Sequence, residues 1–242
     1  MSKIKVEIIY EDDAIVIVQK PANFLAIPDR YVAERLNLVD FLKKKYGDIF
    51  VVHRLDKETS GVICYAKNAE SHRHLSKQFE ARSVEKTYKV LVEGNVHQPT
   101  GIIDKPIARH VSIAGKMRIH NSGKASLTHY EVEKHIGDYT LVQANIKTGR
   151  THQIRVHFAA IGYPLMIDGM YGRQGAFFLS SIKQKKFNIG KYQEERPLMS
   201  RTTLHAWKLS LDHPTTGERM EFIAPLPKDF RAVLKQLEKW SS

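Results

Sequence analysis

The stretch His53-Arg54-Leu55-Asp56-Lys57-Glu58-Thr59-Ser60-Gly61 sets a carboxylate at a turn between two apolar runs. Ile49-Phe50-Val51-Val52 precedes it and Val62-Ile63-Cys64-Tyr65 follows, and both read as buried strands. The residues between are charged or small and close on Gly61, which suits a loop on a rigid scaffold. Loops held this way often carry chemistry. Asp56, with Arg54 and Lys57 beside it, could serve as a nucleophile or a general base. Taken alone, it fits better the ordinary use of Asp as a turn residue paired with a neighbouring cation.

The other reactive types point away from metals and nucleotide cofactors. There are 12 His, and the nearest clusters are His72 with His74 and His152 with His157. Neither has the i,i+4 spacing of a helical zinc site, and no Cys accompanies them, so no metal is expected. No Gly-rich loop of the Walker or dinucleotide type is present, so no cofactor is expected. Cys64, the single Cys, lies in an apolar run and reads as a core residue.

Charge points to the partner. The chain has 38 Lys+Arg against 26 Asp+Glu, a net charge of +12. Such an excess favours a polyanion, most commonly nucleic acid. Two segments without clear periodicity concentrate it. Residues 106–124 carry Arg109, Lys116, Arg118 and Lys124 with no acid, and residues 173–203 carry seven Lys/Arg against two acids. Both read as basic loops or insertions suited to gripping phosphates. The N-terminus lacks a signal-peptide apolar block, and no run reaches membrane-spanning length. A cytoplasmic protein with no membrane partner is expected.

The elements that must position these residues alternate in type. Val6–Tyr10 and Ile15–Val18 form a hairpin about Glu11-Asp12-Asp13. Leu38, Phe41, Leu42 and Tyr46 recur at helical spacing and stop at Gly47. Asn68 can cap a helix with Leu75 and Phe79 inward and Arg73, Lys77 and Arg82 outward. Strands are expected around Tyr88–Val92, Leu127–Val132 and Tyr139–Ile146, a helix over 150–161, and an amphipathic helix over 229–240. Runs of strands with few helices predict an α+β fold with mostly antiparallel pairing.

The string containing Asp56 closely resembles the signature of the RluA-type pseudouridine synthases, in which the Asp of His-Arg-Leu-Asp is catalytic. Lys20-Pro21-Ala22-Asn23 resembles that family's first motif, with Asn23 where the family has Gly. Asn tolerates left-handed backbone, so the turn can survive. Lys86-Thr87-Tyr88 matches the segment supplying the family's active-site Tyr, and Thr148–His157 matches its third motif. Asp168-Gly169-Met170-Tyr171-Gly172, Leu204-His205-Ala206, His213–Glu218 and Ala224–Pro227 match later landmarks, all in the family order.

The resemblance implies a central mixed sheet with flanking helices and a cleft, and an isomerase that turns uridine into pseudouridine in RNA. It implies Asp56 as the catalytic carboxylate, Arg155 as its partner cation with Arg150 as rival, and Tyr88 stacking on the uracil. Arg54 would enter the space left by the flipped base, His53 would order the loop, and an apolar floor is expected near Leu204. Arg109, Lys116 and Arg118 fall in an insertion that lies against RNA in relatives. The layout predicts one catalytic domain over residues 1–242 with no N-terminal S4 module, working as a monomer on a ribosomal or transfer RNA stem-loop. Two rivals stand beside this: a non-catalytic RNA-binding protein keeping the fold, and a metal-dependent nuclease using Asp56.

Overall fold

The computed structural model describes residues 6–29, 32, 35–183 and 194–240. In chain order they form β1 (Glu7–Glu11), β2 (Ile15–Lys20), α1 (Leu38–Tyr46), β3 (Phe50–Val51), β4 (Ser60–Ala66) and α2 (Ala69–Ala81). Then come β5 (Glu85–Glu93), β6 (Thr100–Asp104), β7 (Ile107–Arg109), β8 (Met117–Ile119), β9 (Leu127–Ile136) and β10 (Tyr139–Ile146). The remainder is α3 (Gln153–Ala160), α4 (Ser180–Lys183), β11 (Leu204–Asp212), β12 (Arg219–Ile223) and α5 (Lys228–Trp240). The chain divides into two compact units, residues 1–88 with 205–225, and residues 89–204 with 226–242. The class is α+β, as the strand-rich pattern predicts.

In the first unit the strand order is β1-β2-β4-β11, with β3 on β4 and β12 on β11. The β1–β2, β2–β4 and β11–β12 pairs are antiparallel, while β4 and β11 run parallel through His205↔Ser60 and Ala206↔Gly61. The turn between β1 and β2 is built by Asp12, whose Oδ1 accepts the backbone N–H of Ala14 and Ile15, both at 2.8 Å. That is the local bond for which Asp is favoured in turns. Residues Ile15–Val18 and Ile63–Ala66 are wholly buried, so these strands read as continuous apolar runs rather than alternating ones. Both helices start on Asn caps, Asn68 as expected and Asn37 in addition. Asn37 accepts from Asp40 N at 3.0 Å, and Asn68 from Ser71 N at 2.9 Å.

The run Ile49–Val52 departs from its reading as a buried strand. Only Phe50 and Val51 pair with β4, and Val51 is exposed. Its neighbour β4 needs no long partner there, because a side chain from the following loop continues the ladder, as described below.

In the second unit the order is β5-β10-β9-β6. β9 and β10 make a hairpin closed at Gly137 (φ +58°), and β9 runs to Ile136, past the expected end at Val132. A register shift at Leu141/Val142 keeps the longer strand paired. The core here gathers Leu91, Leu141, Met166, Phe177 and Met199 with Phe230, Val233 and Leu237 of α5. Those α5 residues fall at i, i+3 and i+7, one helical stripe. At the start of α5, Arg201 is buried and clamps Asp229 bidentately, at 2.7 and 2.9 Å.

Three further boundaries differ from the sequence reading. The expected helix over 150–161 begins only at Gln153, because His152 adopts left-handed backbone (φ +55°) and breaks the first turn. Residues 106–124 are not a loop but carry the β7–β8 hairpin. In 173–203, Phe177 and Met199 pair by backbone bonds and enter the core, so the ends of the segment are tied down. Lys185, Lys186 and Lys191 of that basic segment lie outside the described residues.

Candidate active site

Asp56 stands at the start of a tight turn, where Thr59 N–H donates to its carbonyl at 3.1 Å. It is half-buried, while Leu55 before it is buried and Arg54 is exposed. Three contacts fix this loop from below. First, Lys20 is fully buried, and its Nζ donates to the carbonyls of Phe24 (2.7 Å), Lys57 (2.9 Å) and Pro21 (3.0 Å). One amine thereby ties the turn at Pro21–Phe24 to the residue after Asp56. Asn23 within that turn takes φ +60°, the left-handed backbone expected of it.

Second, His53 Nε2 accepts the backbone N–H of Cys64 at 3.0 Å. The imidazole takes the place of a ladder carbonyl beyond the Val51↔Tyr65 pair. Its ring stacks on Phe79 of α2, with centroids 4.7 Å apart. Burial, and then the charge of Lys86, push the His53 imidazole down to about 3, so near neutral pH the ring is uncharged with its proton on Nδ1.

Third, the loop's last residues are welded to β11. Ser60 Oγ lies 2.9 Å from His205 Nδ1, and His205 Nε2 lies 3.0 Å from the Ala224 carbonyl. A carbonyl only accepts, so Nε2 carries the proton and Nδ1 accepts from the Ser60 hydroxyl. Gly61 sits at φ +125°, and a Cβ there would lie 2.1 Å from the Ala206 carbonyl oxygen. The closing Gly of the motif is therefore demanded by how closely β4 approaches β11.

Tyr88 belongs to the same unit and is buried. Burial raises its phenol above the usual value, and the negative charge of Asp56 raises it further. The structure thus brings Tyr88 within electrostatic reach of Asp56.

The second unit holds the arginines. In Thr148–His157 the polar residues serve α3 before they serve chemistry. Gln153 Oε1 accepts from Thr148 Oγ1 (2.7 Å) and Arg150 N (3.1 Å), and its Nε2 donates to the Leu127 carbonyl at 3.0 Å. His157 places Nδ1 2.9 Å from Thr128 Oγ1 and Nε2 2.9 Å from the Lys105 carbonyl. Both ring nitrogens are engaged within the fold, and burial lowers its pKa. Arg150 is half-buried, with Nε donating to the Ala125 carbonyl at 3.2 Å.

Arg155 is buried and makes a bidentate pair with the buried Asp168, Nε to Oδ2 and Nη2 to Oδ1, both at 2.7 Å. Asp168 Oδ1 also accepts the backbone N–H of Met170 (2.9 Å) and Tyr171 (3.1 Å). Burial pushes the Asp168 carboxyl up, but the Arg155 bonds and charge and the two amides outweigh it and hold the carboxyl below its usual value. Of the five donors on a guanidinium, Asp168 takes two. Arg109 on β7 is exposed, and Lys116 and Arg118 near β8 are half-buried.

A family model described as RNA pseudouridylate synthase matches residues 14–160. The chain belongs to that family. It is 40% identical to an uncharacterized RNA pseudouridine synthase of Aquifex aeolicus, across 98% of this chain and 75% of the relative. It is 39% identical to ribosomal large subunit pseudouridine synthase D of Pseudomonas aeruginosa, across 98% of this chain and 73% of the relative. Among solved structures, human RNA Pseudouridylate Synthase Domain Containing 1 superposes with a TM-score of 0.70 at 29% identity, covering 92% of this chain and 84% of that one. Human RNA Pseudouridylate Synthase Domain Containing 4 shares the fold, with a TM-score of 0.73 at 24% identity across 96% and 92% of the two chains. The protein is an RNA pseudouridine synthase, hence an isomerase acting on RNA.

In this synthase His53, Arg54, Asp56 and Tyr88 fall in one unit, and Arg109, Lys116, Arg118, Arg150 and Arg155 in the other. Sequence reasoning missed the part played by Lys20 and Asp168. Lys20 could have been suspected, since a Lys that ends a strand opening on four apolar residues must bury its head or turn it back to carbonyls. For Asp168 the signal was weaker, an Asp followed by Gly169, a usual turn pair that says nothing of a buried cation.

Proposed function

We propose that this synthase isomerises a uridine in large-subunit ribosomal RNA, with Asp56 as its catalytic carboxylate. The observation that carries the reading is the loop itself. A loop that merely turned the chain would not need a buried lysine, a neutral imidazole and a Ser–His bond to hold its backbone. Such preorganisation is what a reacting group requires. The N1–C1′ bond of the target breaks, the uracil turns, and a C5–C1′ bond forms; the C5 hydrogen leaves as a proton and N1 gains one. Atoms balance with no co-reactant. Asp56 acts either at the sugar carbon as nucleophile or as the base that removes a sugar proton.

The target base must leave its stack to be reached. Tyr88 stacks on it, and its phenol, protonated near neutral pH, is a donor. Arg54, exposed beside Asp56, fills the gap left in the RNA. Arg155, held rigid by Asp168, serves as the catalytic cation, with Arg150 as an outer phosphate contact. Arg109, Lys116 and Arg118 hold the backbone of the RNA. Ribosomal RNA is favoured over a transfer RNA arm by the name of the Pseudomonas relative. The enzyme works in the cytoplasm as a monomer.

The test uses large-subunit ribosomal RNA transcribed with tritium at uracil C5, so that isomerisation releases label to water. Asp56→Asn keeps the side-chain shape and loses the basicity. It should abolish release while binding the transcript within about threefold of wild type. Turnover within tenfold of wild type would remove Asp56 from the catalytic role. Release from transfer RNA but not from ribosomal transcripts or their hairpins would overturn the substrate.

A further inference from the structure

Tyr171 has no assigned role, yet it sits where the basic hairpin, α3 and the Arg155–Asp168 pair meet. Its Oη accepts the backbone N–H of Met117, the first residue of β8, at 2.7 Å. The same Oη lies 2.8 Å from His152 Nδ1. A hydroxyl that accepts from Met117 still has its own hydrogen and a second lone pair, so it can pair with that nitrogen in either imidazole tautomer. His152 is the residue in left-handed backbone at the start of α3, so this bond braces a conformation that L-residues seldom adopt. The backbone N–H of Tyr171 donates to Asp168 Oδ1, the same oxygen that receives Arg155 Nη2. Its ring faces two cations, with the Arg155 guanidinium 5.0 Å and Lys116 Nζ 5.6 Å from the centroid. All of these residues belong to one compact unit.

We propose that Tyr171 is a positioning residue that couples the β7–β8 hairpin to Arg155, so that the grip of the hairpin on RNA sets the aim of the arginine. The inference rests on the proposed role of Arg155. Three of the contacts act directly on the arginine's surroundings: the ring beneath it, the amide on its carboxylate partner, and the brace on the helix that bears it. Another reaches the backbone of β8, between Lys116 and Arg118. A phosphate drawn onto those two side chains loads Met117, and the load passes through one hydrogen bond to Tyr171. Small displacements matter here, because a misplacement of about 1 Å at a reacting group can cost about 100-fold in rate. Couplings between sites typically amount to about 5–150-fold.

The test is a double-mutant cycle on the saturating single-turnover rate and the Kd, using an unmodified large-subunit ribosomal RNA transcript. Tyr171→Phe keeps the ring and deletes both bonds of the hydroxyl. It should lower the saturating rate about tenfold and leave Kd within about twofold. Arg109→Gln with Arg118→Gln weakens the hairpin without touching Tyr171. In the wild type this pair should raise Kd and also lower the saturating rate. In the Tyr171→Phe background it should raise Kd alone.

Two outcomes overturn the proposal: a Tyr171→Phe rate within twofold of wild type, or a hairpin effect on rate of equal size in both backgrounds. The second is what a purely structural Tyr171 would give. Failure of the underlying reading looks different, since full turnover by Arg155→Lys would leave the coupling without a target whatever Tyr171 does.

Discussion

Replacing Asp168 by Asn should destabilise the synthase by about 3–5 kcal/mol, because it leaves the Arg155 charge buried without its counterion. The geometry sets the size. Both side chains are almost wholly buried, 5% and 0% exposed, and both bonds are 2.7 Å. The asparagine keeps the shape and can still accept the Met170 and Tyr171 amides, so the turn should survive. It turns an N–H₂ toward one of the two guanidinium donors, however, and removes the negative charge. For a chain of this size about 2–4 °C of Tm is lost per kcal/mol, giving a fall of about 6–20 °C by thermal melting.

The double variant Asp168→Asn/Arg155→Met should recover much of that loss, since removing both charges costs less than stranding one. The pH dependence has a definite sign. The folded pKa of Asp168 is lowered, so the pair's contribution is fully present above the unfolded Asp value, about 3.9, and is lost as pH falls through the folded value. The Tm gap between wild type and Asp168→Asn should therefore be constant from pH 8 to about 5 and close in strong acid. A Tm loss below about 3 °C at pH 7, or a double variant no better than the single, would show that Asp168 is not what neutralises Arg155.

Arg155→Lys should cut turnover by about 100-fold or more, since it keeps the charge and loses the fork, whereas Arg150→Met should do less; a worse lesion at Arg150 would reverse the assignment. Arg155→Met alone is the poorer probe, because it strands the Asp168 carboxylate and should melt early. Binding should weaken steeply with salt, and removing Arg109, Lys116 and Arg118 together should flatten the plot of log Kd against log salt by about 2–3; an unchanged slope would take the hairpin off the phosphates. EDTA should leave tritium release unchanged; loss restored by a divalent ion would revive the metal reading.

The elements and the proposed catalytic residue are legible along the chain. Asn37 and Asn68 cap helices, Asp12 turns a hairpin, and Ile15–Val18 makes a buried strand. Each of these rests on bonds within a few residues or on a local apolar run, so neighbouring residues carry the information. Asp56, Tyr88 and the two arginines could be picked out because their motifs are short and ordered along the chain.

What holds those residues is set by the packed fold. Lys20 reaches Lys57 across 37 residues, Ser60 meets His205 across 145, and Arg155 finds Asp168 across 13. Packing also explains where apolar patterning misleads. Val51 lies exposed in an apolar run because the His53 ring, and not a longer strand, completes the ladder on β4. Likewise, the basic stretch 106–124 has no periodicity to read. Its strands are three residues each, too short for alternation to register, and they are seated by a hydrogen bond from Met117 to the distant Tyr171. A buried polar group must find its partner wherever the fold supplies one, and that partner is chosen by the packing of elements rather than by spacing along the chain.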